Sequence, residues 1–323
     1  MKKSTLFPIL LMGVSLSFFS CSDDDPDNNA QGWTFDLLPN DTGTKPTEAQ
    51  MSATVTQYVD HVVLPTYKDL LDKMTAYTAA VDKFVTSNSQ NDLSDACTAW
   101  RAARVPWEQS EAFLFGVADK GLYDPSLDSW PLDKNGIDKI IESGDFSNVD
   151  GDVDDDEDAP ADAPQNLRGF HTAERMLFDN GDPRQISKSP FSDNEKKYLQ
   201  IVSKHMLKDV TALYNGWDKG LGDINVPTSY GEAMKKHDGT SAYTGLSSIY
   251  QAIETILNGN NGMAGISNEV GTAKIQDPVD KWNESNKDAS DPNNPGVLAV
   301  ESWYSWNSID DYANNIVSIK NSY

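Results

Sequence analysis

The sequence predicts an all-α protein, and three observations support this. Apolar side chains recur every three or four residues, the period of one helix face, through most of the chain after residue 46. Ser192-Asp193-Asn194-Glu195 is a capping box, the signature of a helix start. The sequence shows no persuasive series of the alternating runs and turns that indicate strands and hairpins.

The predicted elements follow one another with few long interruptions. A polar segment, residues 21–46, has the composition of a flexible tether. Proline lacks the N–H group that continues a helix, so Pro65 and Pro106 are expected to kink or break the first two helices. Asn180-Gly181-Asp182-Pro183 is a strong stop signal for the fourth helix. The predicted helices cover residues 47–86, 93–115, 132–142, 166–178, 192–217, 241–257, 265–275 and 308–319.

Two polar insertions are predicted to be solvated loops. Residues 150–162 form an acidic run in which like charges repel one another, and residues 283–295 are rich in Asn, Asp and Pro. The acidic run partly resembles a calcium-binding loop. Asp155 stands where an EF-hand requires glycine and Ala161 where it requires glutamate, so the EF-hand interpretation fails.

Composition limits the classes of partner. The chain has 323 residues, a net charge of −24 and a mean hydropathy of −0.54. This length is typical of one large or two medium domains. So strong a negative charge argues against nucleic acid and against an anionic membrane surface as partners, because both require surfaces rich in Lys and Arg.

The N-terminus predicts the cellular compartment. Met1-Lys2-Lys3 is a positive region, residues 6–19 are apolar but too short to span a bilayer, and Cys21 follows at once. This arrangement resembles a bacterial lipoprotein signal, with residues 1–20 removed and Cys21 lipidated. The acids at 23–25 resemble the surface-export signal of Bacteroidetes lipoproteins. We therefore expect an outer-membrane lipoprotein exposed on the cell surface and attached only through its lipid.

His171 and Glu174 are the first candidate functional pair. They are three residues apart, which on a helix places an imidazole and a carboxylate on one face, a natural pair of ligands for a divalent metal. A surface or capping interaction explains the same spacing. Two known zinc patterns are excluded, because H-E-x-x-H does not occur and Arg175 stands where H-x-x-E-H requires a second histidine.

A second candidate set lies between residues 100 and 111. Trp100, Arg104, Trp107 and Glu111 are spaced to line one helical stripe, with Glu108 beside Glu111 and four residues after Arg104. Acids are rarely buried unless they are paired or bind a metal, so the stripe suggests a partly buried polar site. An ordinary contact between two helices is the alternative explanation.

Together these motifs resemble a known family. The Trp-x-x-x-Arg-x-x-Trp-Glu-x-x-Glu run and the Gly-x-His-x-x-Glu motif, in this order, are similar to the imelysin-like proteins, the M75 peptidase family. The resemblance extends from Thr47 to Tyr323 and includes four further segments: Trp130–Asp133, Asn268–Gly271, Ser302–Ser308 and Asp311–Ile316. It implies one helical domain over 47–323, built from two bundle halves that meet near 181–192.

The resemblance also implies a metal site. Carried over by position, the ligands are Glu108, Glu111, Asp128, His171 and Glu174. Asp133 is the rival to Asp128, and the site-supporting residues are Gly169, Arg104 and Trp107. Four carboxylates and one imidazole suit a hard divalent or ferric ion; iron is expected, with zinc or calcium as alternatives.

The function expected from this resemblance is metal binding in iron uptake, with outer-membrane transport proteins as further partners. One alternative is an M75-type metallopeptidase in which Glu174 is catalytic. A single histidine is fewer than zinc peptidases use, so we expect no peptidase activity. A second alternative is a non-catalytic module for a peptide or a haem-like ligand, lined by tryptophans.

The remaining cysteine and histidines receive no functional role. Cys97 is expected to be a buried structural thiol, since no second cysteine is left to pair with it once Cys21 carries lipid. His205 lies among apolar positions and is expected in the core or at its boundary. His61 and His237 have no partner at a useful spacing.

Overall fold

The described residues of this computed structural model, 45–153, 163–240, 242–259, 261–291 and 293–323, confirm the predicted all-α fold. The chain divides into Met1–Pro46 and a compact unit, Thr47–Tyr323. Cys21, the signal peptide, all of the tether before residue 45 and residues 154–162 of the acidic run lie outside the described residues. The boundary between two bundle halves near 181–192 stays a prediction.

The N-terminal helices form the framework of the core. The thiol of Cys97 is buried there and donates to Leu177 O at 3.5 Å, and burial raises its pKa to about 12, which fits a structural role. The elements in this part are α1 (Glu48–Tyr58), a π-helical turn (Val59–Val63), α2 (Leu64–Ser87), α3 (Gln90–Glu108), a 3-10 turn (Glu111–Phe113), α4 (Val117–Lys120), α5 (Tyr123–Asp128) and α6 (Lys134–Ser143).

Two details of this part concern the predicted effects of proline. At Pro65 the helical chain is distorted and not broken: a π-helical turn joins α1 to α2, and the proline follows it in the first turn of α2. The predicted helix over 93–115 ends at Glu108, two residues after Pro106. Glu111 therefore lies on a separate 3-10 turn, and the prediction that it continues the helical stripe of Trp100 and Trp107 is wrong.

The second part of the chain continues the helical pattern. Ser192 caps the long helix α8, as its capping box predicts. The predicted helix over 241–257 begins only at Ile249, where Ser248 provides the N-cap, and the prediction missed α9. The elements are a 3-10 turn (Pro164–Leu167), α7 (Gly169–Leu177), β1 (Phe178–Asp179), β2 (Asp182–Pro183), α8 (Asp193–Asp218), α9 (Tyr230–Lys236), α10 (Ile249–Asn258), α11 (Met263–Glu269), a second π-helical turn (Val270–Gln276), α12 (Asp277–Glu284), α13 (Pro295–Leu298) and α14 (Ser308–Ser322).

The core lies where α2, α3, α7 and α8 pack together. Trp100 and Trp217 are fully buried within it, and Trp100 Nε1 donates to the carbonyl of Phe170 at 3.1 Å. The two short strands form an antiparallel pair at the stop signal after α7. Within the described part of the chain, no helix combines the length and apolar character needed to cross a bilayer.

Gly169 fixes the contact between α5 and α7. Its φ of +86° lies in the left-handed region that favours glycine. A Cβ atom at this position would lie 2.4 Å from the carbonyl oxygen of Leu127, a backbone atom that cannot move aside easily. The start of α7 therefore packs directly on the end of α5, and this contact brings Asp128 next to the helix that carries His171.

We expect Gly169→Ala to lower the free energy of unfolding by about 2–4 kcal/mol, because it adds a backbone clash to left-handed strain. Gly222→Ala is the matched control, since Gly222 has a φ of +74° and no neighbouring atom lies within 4 Å of the place that a Cβ would take. The control should lose about 1–2 kcal/mol from strain alone. Urea unfolding followed by circular dichroism measures both, and equal losses would contradict the close packing on Leu127.

Candidate metal centre

Arg104 lies at the centre of a buried group of charged side chains. Its guanidinium is fully buried and forms ion pairs with four carboxylates from separate parts of the chain. The partners are Glu108 and Asp128, which are in direct contact with it, and Glu301 and Asp311, each at 3.1 Å. The planar guanidinium also lies 4.9 Å from the ring centroid of Phe170, which holds it in place.

Three overlapping groups of ligand atoms surround this arginine. Within each group the atoms lie within 4.8 Å of one another, close enough for small shifts to bring them to one ion. The groups are Glu108, Glu111 and Asp128; Asp128, His171 and Glu301; and Glu108, Glu301 and Asp311. The structure thus brings Glu108, Glu111, Asp128 and His171 together, as the resemblance implies.

Asp128, not Asp133, joins these groups. Trp107 Nε1 donates to Asp128 Oδ2 at 2.6 Å, and Asp128 Oδ1 lies 3.1 Å from His171 Nε2. Asp133 precedes α6 as its N-cap and belongs to none of the three groups. Trp107 and Arg104 therefore support the site by holding Asp128 in position.

Glu174 lies behind the imidazole. Its Oε2 is 2.9 Å from His171 Nδ1, and its Oε1 accepts hydrogen bonds from Ser305 N at 2.7 Å and Ser305 Oγ at 2.6 Å. His171 Nε2 faces the opposite way, toward Asp128 and toward Glu301 at 3.6 Å. In this structure Glu174 orients His171, as a carboxylate behind a metal-binding histidine does, and does not face the ligand groups.

Four further charged residues belong to the site although the sequence did not assign them to it. Glu301 and Asp311 come from the C-terminal segment, and Lys274 Nζ lies 2.7 Å from Glu301 Oε2. Asp124 lies one helical turn before Asp128 on α5. Asp311 begins one of the segments that carry the family resemblance, and Lys274 lies three residues after another. This resemblance is the only sequence signal for them. Glu301 has no partner at helical spacing that would have indicated it.

The buried charges do not balance. Three basic groups, Arg104, Lys274 and His171, face six buried carboxylates. The carboxylates are Glu108, Glu111, Asp128, Glu174, Glu301 and Asp311. The excess of acids makes the fully ionised cluster costly, because buried charge is stable only when it is compensated.

The pKa shifts of individual groups show how the site accommodates this excess of acidic over basic groups. Burial raises the pKa of Glu108 and Glu111 well above the usual range, with Arg104 opposing the shift at Glu108 and Lys274 at Glu111. Burial also acts to raise the pKa of Asp128, but Arg104 and His171 outweigh it and hold that pKa well below its usual value. Burial opposes the charged form of His171, yet Asp128 and its other carboxylate partners raise its pKa overall. The cost of the excess negative charge thus falls mainly on Glu108 and Glu111.

A cleft leads to this cluster from the surface. It has a volume of about 510 Å³ and contains Glu111, Asp128 and Glu301 in its lining, together with the half-exposed acids Glu269 and Asp277. The ring of Trp130, another lining residue, packs edge-on against His171 with centroids 4.8 Å apart. A cation that enters this cleft would meet Glu269 and Asp277 as well as the buried acids of the cluster.

Comparisons with known proteins show which proteins this chain is similar to. The chain matches the family described as imelysin, Peptidase M75, over residues 63–323. Iron-regulated protein A of Synechococcus elongatus is 25% identical over 271 residues, which cover 84% of this chain and 63% of that protein. The chain thus matches less than two thirds of that relative's length.

Two solved structures are similar to this chain, one of them over most of its length. One from Parabacteroides distasonis, described as a candidate iron-regulated protein A precursor, is 69% identical with a TM-score of 0.85, and the alignment covers 90% of this chain and 77% of that one. An imelysin peptidase from Bacteroides ovatus is 49% identical over 40% of this chain and 36% of its own, with a TM-score of 0.38.

Asp124→Asn tests the electrostatics of the cleft. Burial, followed by the neighbouring Asp128 and Glu269, raises the pKa of Asp124 to about 7. A carboxyl whose folded pKa is raised contributes stability below its unfolded pKa of about 3.9 and loses that contribution as the pH rises toward 7. The asparagine variant should therefore gain stability relative to the wild type between pH 5 and pH 8, on the order of 1–2 kcal/mol after allowance for solvent in the cleft.

Urea unfolding of both proteins at these two pH values, in a buffer with chelator, measures the difference. A difference that is the same at both values would contradict the raised pKa of Asp124.

Proposed function

The chain belongs to the imelysin family, peptidase M75, and from this premise we propose that it binds a metal ion, iron above all, as cargo in the centre around Asp128 and His171. One observation carries the proposal: a buried cluster holds six carboxylates against three basic groups, and Glu111, Asp128 and Glu301 of this cluster line an acidic cleft. A divalent or ferric ion would supply the missing positive charge.

The donor atoms support a hard ion. Glu108, Glu111, Asp128 and Glu301 offer carboxylate oxygens and His171 offers one imidazole nitrogen, with no thiolate in any of the candidate groups among the described residues. Oxygen-rich sets with one imidazole suit iron or manganese better than soft metals, while zinc and calcium remain alternative ions. The names of the Synechococcus and Parabacteroides relatives, which describe iron-regulated proteins, favour iron as the cargo.

The geometry does not favour a metallopeptidase. Such an enzyme needs a general base that faces a metal-bound water. Both carboxylate oxygens of Glu174 are already engaged, one beside His171 and one by Ser305. His171 is also the one histidine in the candidate ligand groups of the described residues. We therefore propose binding without peptide cleavage.

A module for a peptide or a haem-like ligand is also less favoured. That alternative requires tryptophans along the pocket, but Trp100 and Trp107 are fully buried in the core. Trp130 does line the cleft, where it packs against His171. The rest of the lining combines apolar residues with six carboxylates and two lysines, and so many acids suit a cation better than an apolar ring system.

We further propose that lipid on Cys21 anchors the protein to the outer membrane, with the helical unit on the cell surface. The residues that follow it up to the first described helix give the tether its length. An uptake role at that position implies outer-membrane transport proteins as partners that receive the ion. The lipoprotein-like pattern around Cys21 supports this part of the proposal.

Metal binding is tested by comparing Asp128→Asn with Asp133→Asn. Asp128 belongs to two of the three ligand groups, so its loss should weaken binding at least about tenfold, the order of magnitude expected for a ligand or its support. Asp133 lies in the same segment but outside every group, so its variant should bind like the wild type. Anaerobic calorimetric titration with Fe²⁺ and with Zn²⁺ measures both affinities.

Circular dichroism confirms that each variant is folded, and elemental analysis of protein purified without chelator, repeated for His171→Ala, provides an independent measure of bound metal. Equal affinities for the two aspartate variants would contradict the assigned centre.

Peptidase activity is tested on the same preparation of the wild-type protein, which is incubated with an unbiased peptide library. Metal-dependent cleavage that disappears in Glu174→Gln would overturn the ranking and favour the peptidase.

The anchor is tested with the two cysteines. Cys21→Ser should move the protein from the outer-membrane fraction to the soluble fraction, because the lipid is the proposed attachment. Cys97→Ser is the matched control and should leave the protein in the membrane fraction, since Cys97 is buried. Fractionation followed by immunoblotting provides the measurement. A Cys21→Ser protein that stays with the outer membrane would refute the anchor.

A further inference from the structure

We propose that Lys274 is an internal counter-ion that occupies the metal centre until a multivalent cation displaces its ammonium group. The proposal rests on the function proposed above and adds a selection step to it: an ion enters only when it gains more from the carboxylates than Lys274 does.

The position of Lys274 is unusual for a lysine. It lies in the second π-helical turn, Val270–Gln276, where residues 271–273 and 275–276 are exposed or nearly so while Lys274 itself is 8% exposed. Lysine is almost never buried unless it is paired, because its ammonium group is strongly hydrated. Single π-helical turns interrupt regular helix geometry and occur frequently at functional sites. The turn therefore directs one cationic side chain inward from an otherwise exposed segment.

The ammonium group contacts the proposed ligands. Nζ lies 2.7 Å from Glu301 Oε2, and Glu301 belongs to two of the three candidate ligand groups. Lys274 thus supplies part of the positive charge that a bound metal ion would otherwise provide to the buried carboxylates.

Arg104, the other permanent cation, cannot play this part. It is fully buried, pairs with four carboxylates and lies against the ring of Phe170. Lys274 donates a hydrogen bond to its main partner, lines the cleft wall and carries a flexible four-carbon side chain. Arg104 is therefore a fixed component of the site, and Lys274 is the component that can move.

Glu269 can receive the displaced ammonium group. Its Oε1 already lies 3.6 Å from Lys274 Nζ, and its side chain is 49% exposed. Asp277, three residues after Lys274, already pairs with Lys281 at 2.7 Å, so this second ion pair is left unchanged. A monovalent cation offers the carboxylates no more charge than the ammonium does, so displacement favours divalent and ferric ions.

Lys274→Met tests the proposal, with Mn²⁺ as the probe because it does not oxidise readily. Removal of the competing charge should raise Mn²⁺ affinity at least about tenfold. Lys281→Met is the matched control: it removes the same charge from the same cleft, but Lys281 pairs with Asp277 and not with the cluster. Its affinity should stay within about twofold of the wild type.

A second measurement uses the wild-type protein and does not depend on how a variant folds. Amine acylation followed by peptide mass spectrometry reports how accessible each lysine is. Lys274 should react slowly without metal and several times faster with saturating Mn²⁺, whereas Lys281 should react equally in both conditions.

The outcomes separate the two proposals. If the wild type binds Mn²⁺ and a folded Lys274→Met protein binds it no more tightly than the wild type does, the counter-ion proposal is overturned. Unchanged acylation of Lys274 in the Mn²⁺-bound wild type would overturn it as well. Absence of Mn²⁺ and Fe²⁺ binding in the wild type and in both variants would overturn the proposed function and the counter-ion with it. Tight binding that appears only in Lys274→Met would support the counter-ion.

Discussion

The rest of the site depends on one buried guanidinium. Arg104 holds Glu108 of its own helix, α3, together with Asp128 of α5 and with Glu301 and Asp311, which lie 197 and 207 residues further along the chain. Without this cation, four acids in a water-poor interior would repel one another, and each would have to take up a proton or return to solvent. Arginine suits the position because its fixed planar fork reaches several carboxylates at once and stays charged when buried.

Even with Arg104 in place, the interior keeps more acid than base, and the surrounding helices determine how this excess is arranged. Glu174 and Ser305 fix the imidazole of His171 from behind, while Trp130 packs against one side of it. The other ring nitrogen therefore faces the carboxylates. This arrangement gathers the excess negative charge in one place, where a bound cation can neutralise it. The apolar core elsewhere in the molecule stabilises the fold.

Backbone geometry adds a second constraint to these electrostatic ones. The left-handed conformation of Gly169 and its contact with Leu127 bring the start of α7 onto the end of α5. Asp128 and His171 stand close together for this reason, with Oδ1 and Nε2 3.1 Å apart. The glycine of the Gly-x-His-x-x-Glu motif is thus a requirement of packing, and the histidine is the residue that the packing positions.

Local sequence determined the helical class and the long elements, because periodicity and capping act within a few residues: the box at Ser192 marks the start of α8 as observed. It could not determine α5 or α9, which have too few residues to show a period. The motifs, through their family resemblance, predicted that Glu108, Asp128 and His171 would meet. Only the tertiary structure decided that Glu174 turns away toward Ser305, and that Glu301 and Lys274 complete the cluster. Those contacts join residues that no local pattern relates, because buried charges find their partners across space and not along the chain.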